Sequence, residues 1–187
     1  FRTGVSLFTA FLVSFLVGPR VIFMLKVKQK KGQPIREDGP ESHILTKQGT
    51  PTMGGFLILL GMSAGTLLWA DLTNQYIWAC LLVTTGFGFI GFLDDYAKIT
   101  QSSSAGVSGK VKLLLEIMIS LGAVLIIMDK AGPDYGSKLA LPFLKNVMVD
   151  LGWFMIPFAI FVMVGASNSV NLTDGLDGLA IVPVIIA

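Results

Sequence analysis

One cysteine, one histidine and few charges leave little room for most protein classes. Cys80 is the only cysteine and sits inside an apolar stretch, which excludes an intrachain disulfide and any cysteine-rich metal site. His43 is the only histidine. Alone in a charged loop, it reads as a solvated side chain rather than a metal ligand. Charged residues make up 14% of the 187 positions, where soluble domains carry about 25%. So small a set cannot cover a globular surface, which excludes an ordinary soluble enzyme and a disordered chain. The net charge of +2 is small and no basic run is interleaved with aromatics, so nucleic acid is not an expected partner. What is abundant is apolar: 53% of the residues are hydrophobic and the mean hydropathy is +0.73. The charges are clumped between long apolar runs, as in a protein that crosses a membrane several times.

A membrane helix needs ~20 mostly apolar residues, because ~30 Å of hydrocarbon is crossed at ~1.5 Å per residue. Five complete spans are predicted, at Val5–Leu25, Gly54–Ala70, Ile77–Leu93, Val111–Met128 and Leu151–Ser167, with a sixth, Gly178–Ala187, cut short. The expected fold is all-α, a polytopic transmembrane helix bundle, with 1–187 as a single integral membrane domain. The first run leads into Gly18-Pro19-Arg20 without a small-residue cleavage site, so it reads as a span and not a signal peptide. The chain opens on Phe1 and closes within an apolar run, which predicts a piece of a longer protein. Ten of the Lys and Arg residues fall between spans one and two or between spans three and four, and four fall on the other side. The ten are expected to be cytoplasmic.

That orientation gathers three polar clusters at the cytoplasmic rim, where ionisable residues beside apolar helices mark candidate sites. The first is Lys47-Gln-Gly-Thr50-Pro51-Thr52-Met-Gly54-Gly55. Thr50 and Pro51 read as N-cap and first helical residue of span two, which would aim free amides at an anion such as phosphate. The second is Asp94-Asp95-Tyr96-Ala-Lys98, at the end of span three, with Lys110 and Lys112 opening span four. Adjacent carboxylates repel unless solvated or accompanied by a cation. Mg²⁺ is suited to one or two carboxylates plus substrate phosphates, and a carboxylate could instead serve as a base. The third is Asn168-Ser-Val-Asn171-Leu-Thr173-Asp174-Gly175-Leu-Asp177-Gly178. Its polar residues recur every three positions, either as a drifting helical row or at a bent, glycine-permitted entry into span six. Amides and carboxylates together can recognise a nucleobase or sugar.

Two motifs have a packing explanation. Gly86-Phe-Gly88-Phe-Ile-Gly91 matches a dinucleotide-binding pattern but lies inside an apolar span, not after a strand. It and Gly61-Met-Ser-Ala-Gly65 read as small residues for close helix approach. Glu116, early in span four, is expected to face protein or the rim, and the sequence names no partner for it.

In this order, the clusters resemble the bacterial phospho-N-acetylmuramoyl-pentapeptide transferase family over essentially the whole chain. The resemblance is carried by Gly39-Pro-Glu-Ser-His43, by Lys47 with Gly49-Thr-Pro-Thr-Met-Gly-Gly55, by Gly91-Phe-Leu-Asp94-Asp95-Tyr96 and by Asn171-Leu-Thr-Asp-Gly-Leu-Asp-Gly-Leu-Ala180. It implies a multi-pass inner-membrane enzyme with its active site facing the cytoplasm. The reaction would be Mg²⁺-dependent transfer of phospho-MurNAc-pentapeptide from UDP-MurNAc-pentapeptide to undecaprenyl phosphate, giving lipid I and UMP in peptidoglycan synthesis, by a homodimer. Asp94 and Asp95 would be catalytic and bind the metal, their individual roles unassigned, with Lys98 and Lys110 also catalytic. Lys47, Thr52, Asn168, Asn171, Asp174 and Asp177 would bind substrate, the last two near the nucleoside. Ala105 stands where the family often has a lysine, and Ser169 where alanine is common. The family's third catalytic aspartate and histidine-rich loop come later in its chain, so residues 1–187 alone are expected to be inactive.

Three other readings compete. A polyprenyl-phosphate N-acetylglucosamine-1-phosphate transferase would use the same chemistry on another sugar, although the Gly49–Gly55 element separates the two. An intramembrane prenyltransferase also holds Mg²⁺ and a diphosphate on Asp-rich motifs. A cation transporter would use Asp94, Asp95, Asp174 and Asp177 as ligands, but such sites lie near the midplane of repeated halves. Here the acids sit at one rim and no internal repeat is seen.

Overall fold

The computed structural model describes residues 1–29, 51–101, 106–141, 144, 147–173 and 180. It contains helices α1 (Arg2–Lys28), α2 (Gly55–Trp69), α3 (Gln75–Gln101), α4 (Gly109–Tyr135) and α5 (Met155–Thr173). Strands β1 (Lys138–Ala140) and β2 (Met148–Asp150) join α4 to a short 3-10 turn, Gly152–Phe154, that runs into α5. The all-α polytopic class expected from the sequence is observed.

Among the described residues, four segments are long and apolar enough to cross a membrane: α1, α3, α4 and Gly152–Thr173. The predicted second span is corrected. Helix α2 has only 15 residues, about 22 Å at 1.5 Å per residue, against a hydrocarbon core of about 30 Å. The chain enters it through Met53 at φ 71°, a left-handed residue that no helix accommodates. The N-cap is therefore Gly54, without a side-chain bond, and Pro51 is not the first helical residue. The predicted sixth span, apart from Ala180, lies outside the described residues.

The chain divides into two compact units, Phe1–Leu115 and Glu116–Ala187, the boundary falling within α4. In the first unit, glycines let α1 and α2 approach closely. A side chain at Gly61 would meet the Ala10 carbonyl oxygen at 2.8 Å, and one at Gly65 the Ser6 carbonyl oxygen at 2.7 Å. Gly18 faces Leu57. Positions rise along α2 as they fall along α1, so the two helices are antiparallel. Trp69 Nε1 donates to Thr9 Oγ1 (2.9 Å) at the far end of the pair. Gly88 of α3 admits the Leu59 side chain of α2. Gly61 and Gly65 thus serve helix packing within the chain, as expected, and of the second motif Gly88 does so while Gly91 has no neighbour within 4 Å.

Between α2 and α3, Asp71 accepts bonds from the hydroxyl (2.6 Å) and the amide (3.1 Å) of Thr73. Those bonds hold its carboxyl below the usual carboxylate range. Asn74 Oδ1 accepts the Tyr76 amide (3.0 Å) and caps the start of α3.

In the second unit, α4 buries Glu116, Ser120, Ala123 and Val124. Its last turns are broken at Gly132 (φ 72°), followed by Pro133. The antiparallel hairpin pairs Lys138 with Asp150 and Ala140 with Met148. Asp150 Oδ1 accepts the Ser137 hydroxyl (2.7 Å) and the Gly152 amide (2.9 Å), which lower its pKa. Large apolar side chains outside these contacts, among them Phe8, Phe15, Leu114, Met118 and Phe161, are exposed, as a lipid-facing surface requires.

The α1–α2 contact gives the first prediction. Gly65→Val puts branched carbon against backbone and should cost about 1–3 kcal/mol, read as a lower thermal midpoint in detergent. Gly91→Ala, where nothing lies within 4 Å of the added carbon, should leave the midpoint unchanged.

Candidate functional site

At one end of the first unit, the close of α1, the approach to α2, the C-terminal part of α3 and the approach to α4 come together. Gln29, the C-cap of α1, is 7% exposed. Its Oε1 accepts the Thr52 amide (2.9 Å) and its Nε2 donates to the Thr52 carbonyl (3.3 Å). This two-way clamp fixes the backbone of Thr52, whose side chain is then free to turn to α3. Thr52 Oγ1 donates to Asp95 Oδ2 at 2.7 Å.

The expected end of α3 is corrected here. The helix does not stop before the acids but continues through Gln101, so Asp94 and Asp95 lie inside it. Helical spacing then sets Asp94 and Lys98 one turn apart on one face. Lys98 Nζ lies 2.6 Å from Asp94 Oδ2 and 3.8 Å from Asp95 Oδ1. The cation beside the paired carboxylates is thus supplied by the chain itself. Asp94 Oδ1 accepts the Val107 amide at 3.0 Å.

That last bond depends on Gly106, whose φ of 62° turns the chain back toward α3. A side chain at Gly106 would collide with Asp94 Oδ1 and sit 3.0 Å from Lys98 Cε. Each oxygen of Asp94 therefore has a close partner. Asp95 Oδ1 has only the longer approach of Lys98 among the described residues.

Of the other residues named from the sequence, Lys110 is exposed in the first turn of α4, and no ion pair involves it among the described residues. Asn168 and Asn171 lie on α5, which runs through Thr173, so the helical reading of the third cluster holds to that point. Asn171 is exposed. In the second unit, Asn168 Nδ2 donates to Glu116 Oε2 (2.6 Å) and to the Val164 carbonyl (2.9 Å). Lys47, Asp174 and Asp177 lie outside the described residues. Among the described residues no three His, Cys, Asp or Glu side chains converge as a metal site. Gln29, Gly106 with Val107, and Glu116 as the partner of Asn168 were not anticipated. Gln29 stands among Lys26, Lys28, Lys30 and Lys31, so nothing local singled it out.

Residues 77–187, more than half of the chain, match glycosyl transferase family 4, and the chain belongs to that family. Upstream of that match, residues 47–59 carry the phospho-N-acetylmuramoyl-pentapeptide-transferase signature 1. The two matches together place the chain among the phospho-sugar transferases of peptidoglycan synthesis, as the sequence resemblance implied. Thr52 falls in the signature, and Asp94, Asp95 and Lys98 in the family match.

The Thr52–Asp95 bond has a charged acceptor, a class worth about 1.5–3 kcal/mol. Thr52→Val should lose most of that stability in a detergent thermal melt, while Thr52→Ser should keep it. Equal midpoints for the two variants would show that the hydroxyl contributes nothing.

Proposed function

We propose that the protein transfers phospho-MurNAc-pentapeptide from UDP-MurNAc-pentapeptide to undecaprenyl phosphate, releasing UMP and leaving lipid I in the membrane. The observation that carries this reading is the 2.7 Å bond from Thr52 to Asp95. It joins the pentapeptide-transferase signature to the acidic pair of the wider family match. A muramoyl-specific element thereby touches the group best placed for the chemistry.

In this reaction an oxygen of the acceptor phosphate attacks the sugar-linked phosphorus of the donor. A new P–O–P bond forms, the old diphosphate P–O bond breaks, and UMP departs with the electron pair. The difficulty is negative charge, since both partners are anions. Lys98, Lys110 and Lys47 would draw the phosphates in and offset their repulsion. Asp94 and Asp95 would hold Mg²⁺, a fit consistent with two carboxylates whose remaining ligands are phosphate oxygens. When bound, Mg²⁺ would neutralise charge on the diphosphate and on the leaving group. Asp95, with Oδ1 the less engaged oxygen, is the one open to a new partner. Asn168, Asn171, Asp174 and Asp177 would bind the nucleotide sugar. A site at the cytoplasmic rim lets the acceptor keep its tail in lipid while its phosphate meets a soluble donor. Pairing of two copies belongs to the same reading.

The test is UMP release by the purified full-length protein in detergent with Mg²⁺ and undecaprenyl phosphate. Release is expected with UDP-MurNAc-pentapeptide and not with UDP-N-acetylglucosamine. Asp94→Asn and Asp95→Asn should each lower kcat by about 10²-fold or more. Release only with the N-acetylglucosamine donor would reassign the sugar, and release with neither from folded protein would sink the transferase reading.

A further inference from the structure

Glu116 is 3% exposed, within an apolar helix where a carboxyl group is costly, and the proposed reaction gives it no role. Its partner is Asn168, whose amide nitrogen lies 2.6 Å from Glu116 Oε2 and 2.9 Å from the Val164 carbonyl oxygen. A backbone carbonyl only accepts, so the nitrogen of the amide must point to that side. Both amide protons are then consumed. The oxygen, Oδ1, has no partner among the described residues and keeps two lone pairs for an incoming donor group.

We propose that Glu116 is a positioning residue, which locks the Asn168 amide so that its carbonyl oxygen is the atom presented to the nucleotide-sugar donor. Val164 alone would hold one proton and leave the side chain free to rock about that bond. The second bond, from another helix, fixes the plane of the amide. Asn168 then reads a hydrogen-bond donor on its ligand, such as an N–H or O–H of the nucleotide sugar, and rejects an acceptor. This inference rests on the proposed function for the ligand's identity, but the locking rests on the geometry of the pair. The simpler possibility is a staple between α4 and α5, which would affect stability and not recognition.

The experiment is a double-mutant cycle in the full-length protein: wild type, Glu116→Leu, Asn168→Ala and the two combined, with Glu116→Gln as the conservative variant. UMP release gives kcat and KM for donor and acceptor, and a detergent melt gives stability. Glu116→Leu should raise the donor KM about tenfold, the scale of one well-made hydrogen bond, with kcat and acceptor KM changed less than about twofold. Glu116→Gln, whose side-chain oxygen still accepts, should recover most of the loss. In the Asn168→Ala background Glu116→Leu should add little, because the two act as one unit. Multiplying effects, or Glu116→Gln as impaired as Glu116→Leu, would overturn the proposal, as would a lower melting point with an unchanged donor KM. No wild-type turnover with either donor would overturn the proposed function instead. The same cycle, read as UMP affinity by calorimetry, would then decide the positioning role, and absence of coupling there would end it.

Discussion

The structure turns on one requirement: a charge placed beside hydrocarbon must find its partner within the protein. Asp94 and Asp95 are neighbours at the end of the apolar stretch of α3, so they repel each other as well as resist desolvation. Three groups answer them, each from a different stretch of chain. Lys98 comes from the next turn of α3, the Thr52 hydroxyl from the approach to α2, and the Val107 amide from the approach to α4.

Much of the local backbone follows from that requirement. For Thr52 to reach Asp95, the chain cannot already be helical at Pro51, and Met53 takes up the turn at φ 71°. Helix α2 is shortened as a result. Gln29 bonds both backbone polar groups of Thr52 in place of the helical bonds it forgoes. On the other side, Gly106 turns the chain so that the next amide points at Asp94. Even an alanine there would occupy the space of the carboxylate. The irregular segments of this end are therefore those that supply the acids with donors.

What the sequence makes legible divides along the same line. Apolar length alone locates α1, α3, α4 and α5, because burying a backbone in lipid admits little but helix. The clumping of charge locates the acidic pair, Lys98 and Thr52. Helix ends are less legible, since apolar runs mark where lipid contact stops and not where hydrogen bonding stops. That is why α3 runs past Asp94 and α5 carries Asn168 and Asn171. Least legible are pairings across the chain. Gln29 with Thr52, and Glu116 with Asn168, join positions 23 and 52 residues apart, and no local pattern announces them. The sequence did set Glu116 apart as an acid early in an apolar span, facing protein or the rim, without naming its partner.

The partners also fix what each polar group has left to offer. Both oxygens of Asp94 already have close donors, Lys98 on one and the Val107 amide on the other. Asp95 gives one oxygen to Thr52 and keeps the other for something that bears positive charge or a proton. Asn168 spends both protons on Val164 and Glu116 and keeps its carbonyl oxygen. In a water-rich cleft such distinctions would blur, since solvent could satisfy any group. Beside a membrane, unfilled valences are few and specific. On Asp95 and Asn168 the oxygen that survives internal pairing is an acceptor, which suits the proposed reaction, since it brings anions together through cations and hydrogen-bond donors and not through direct contact.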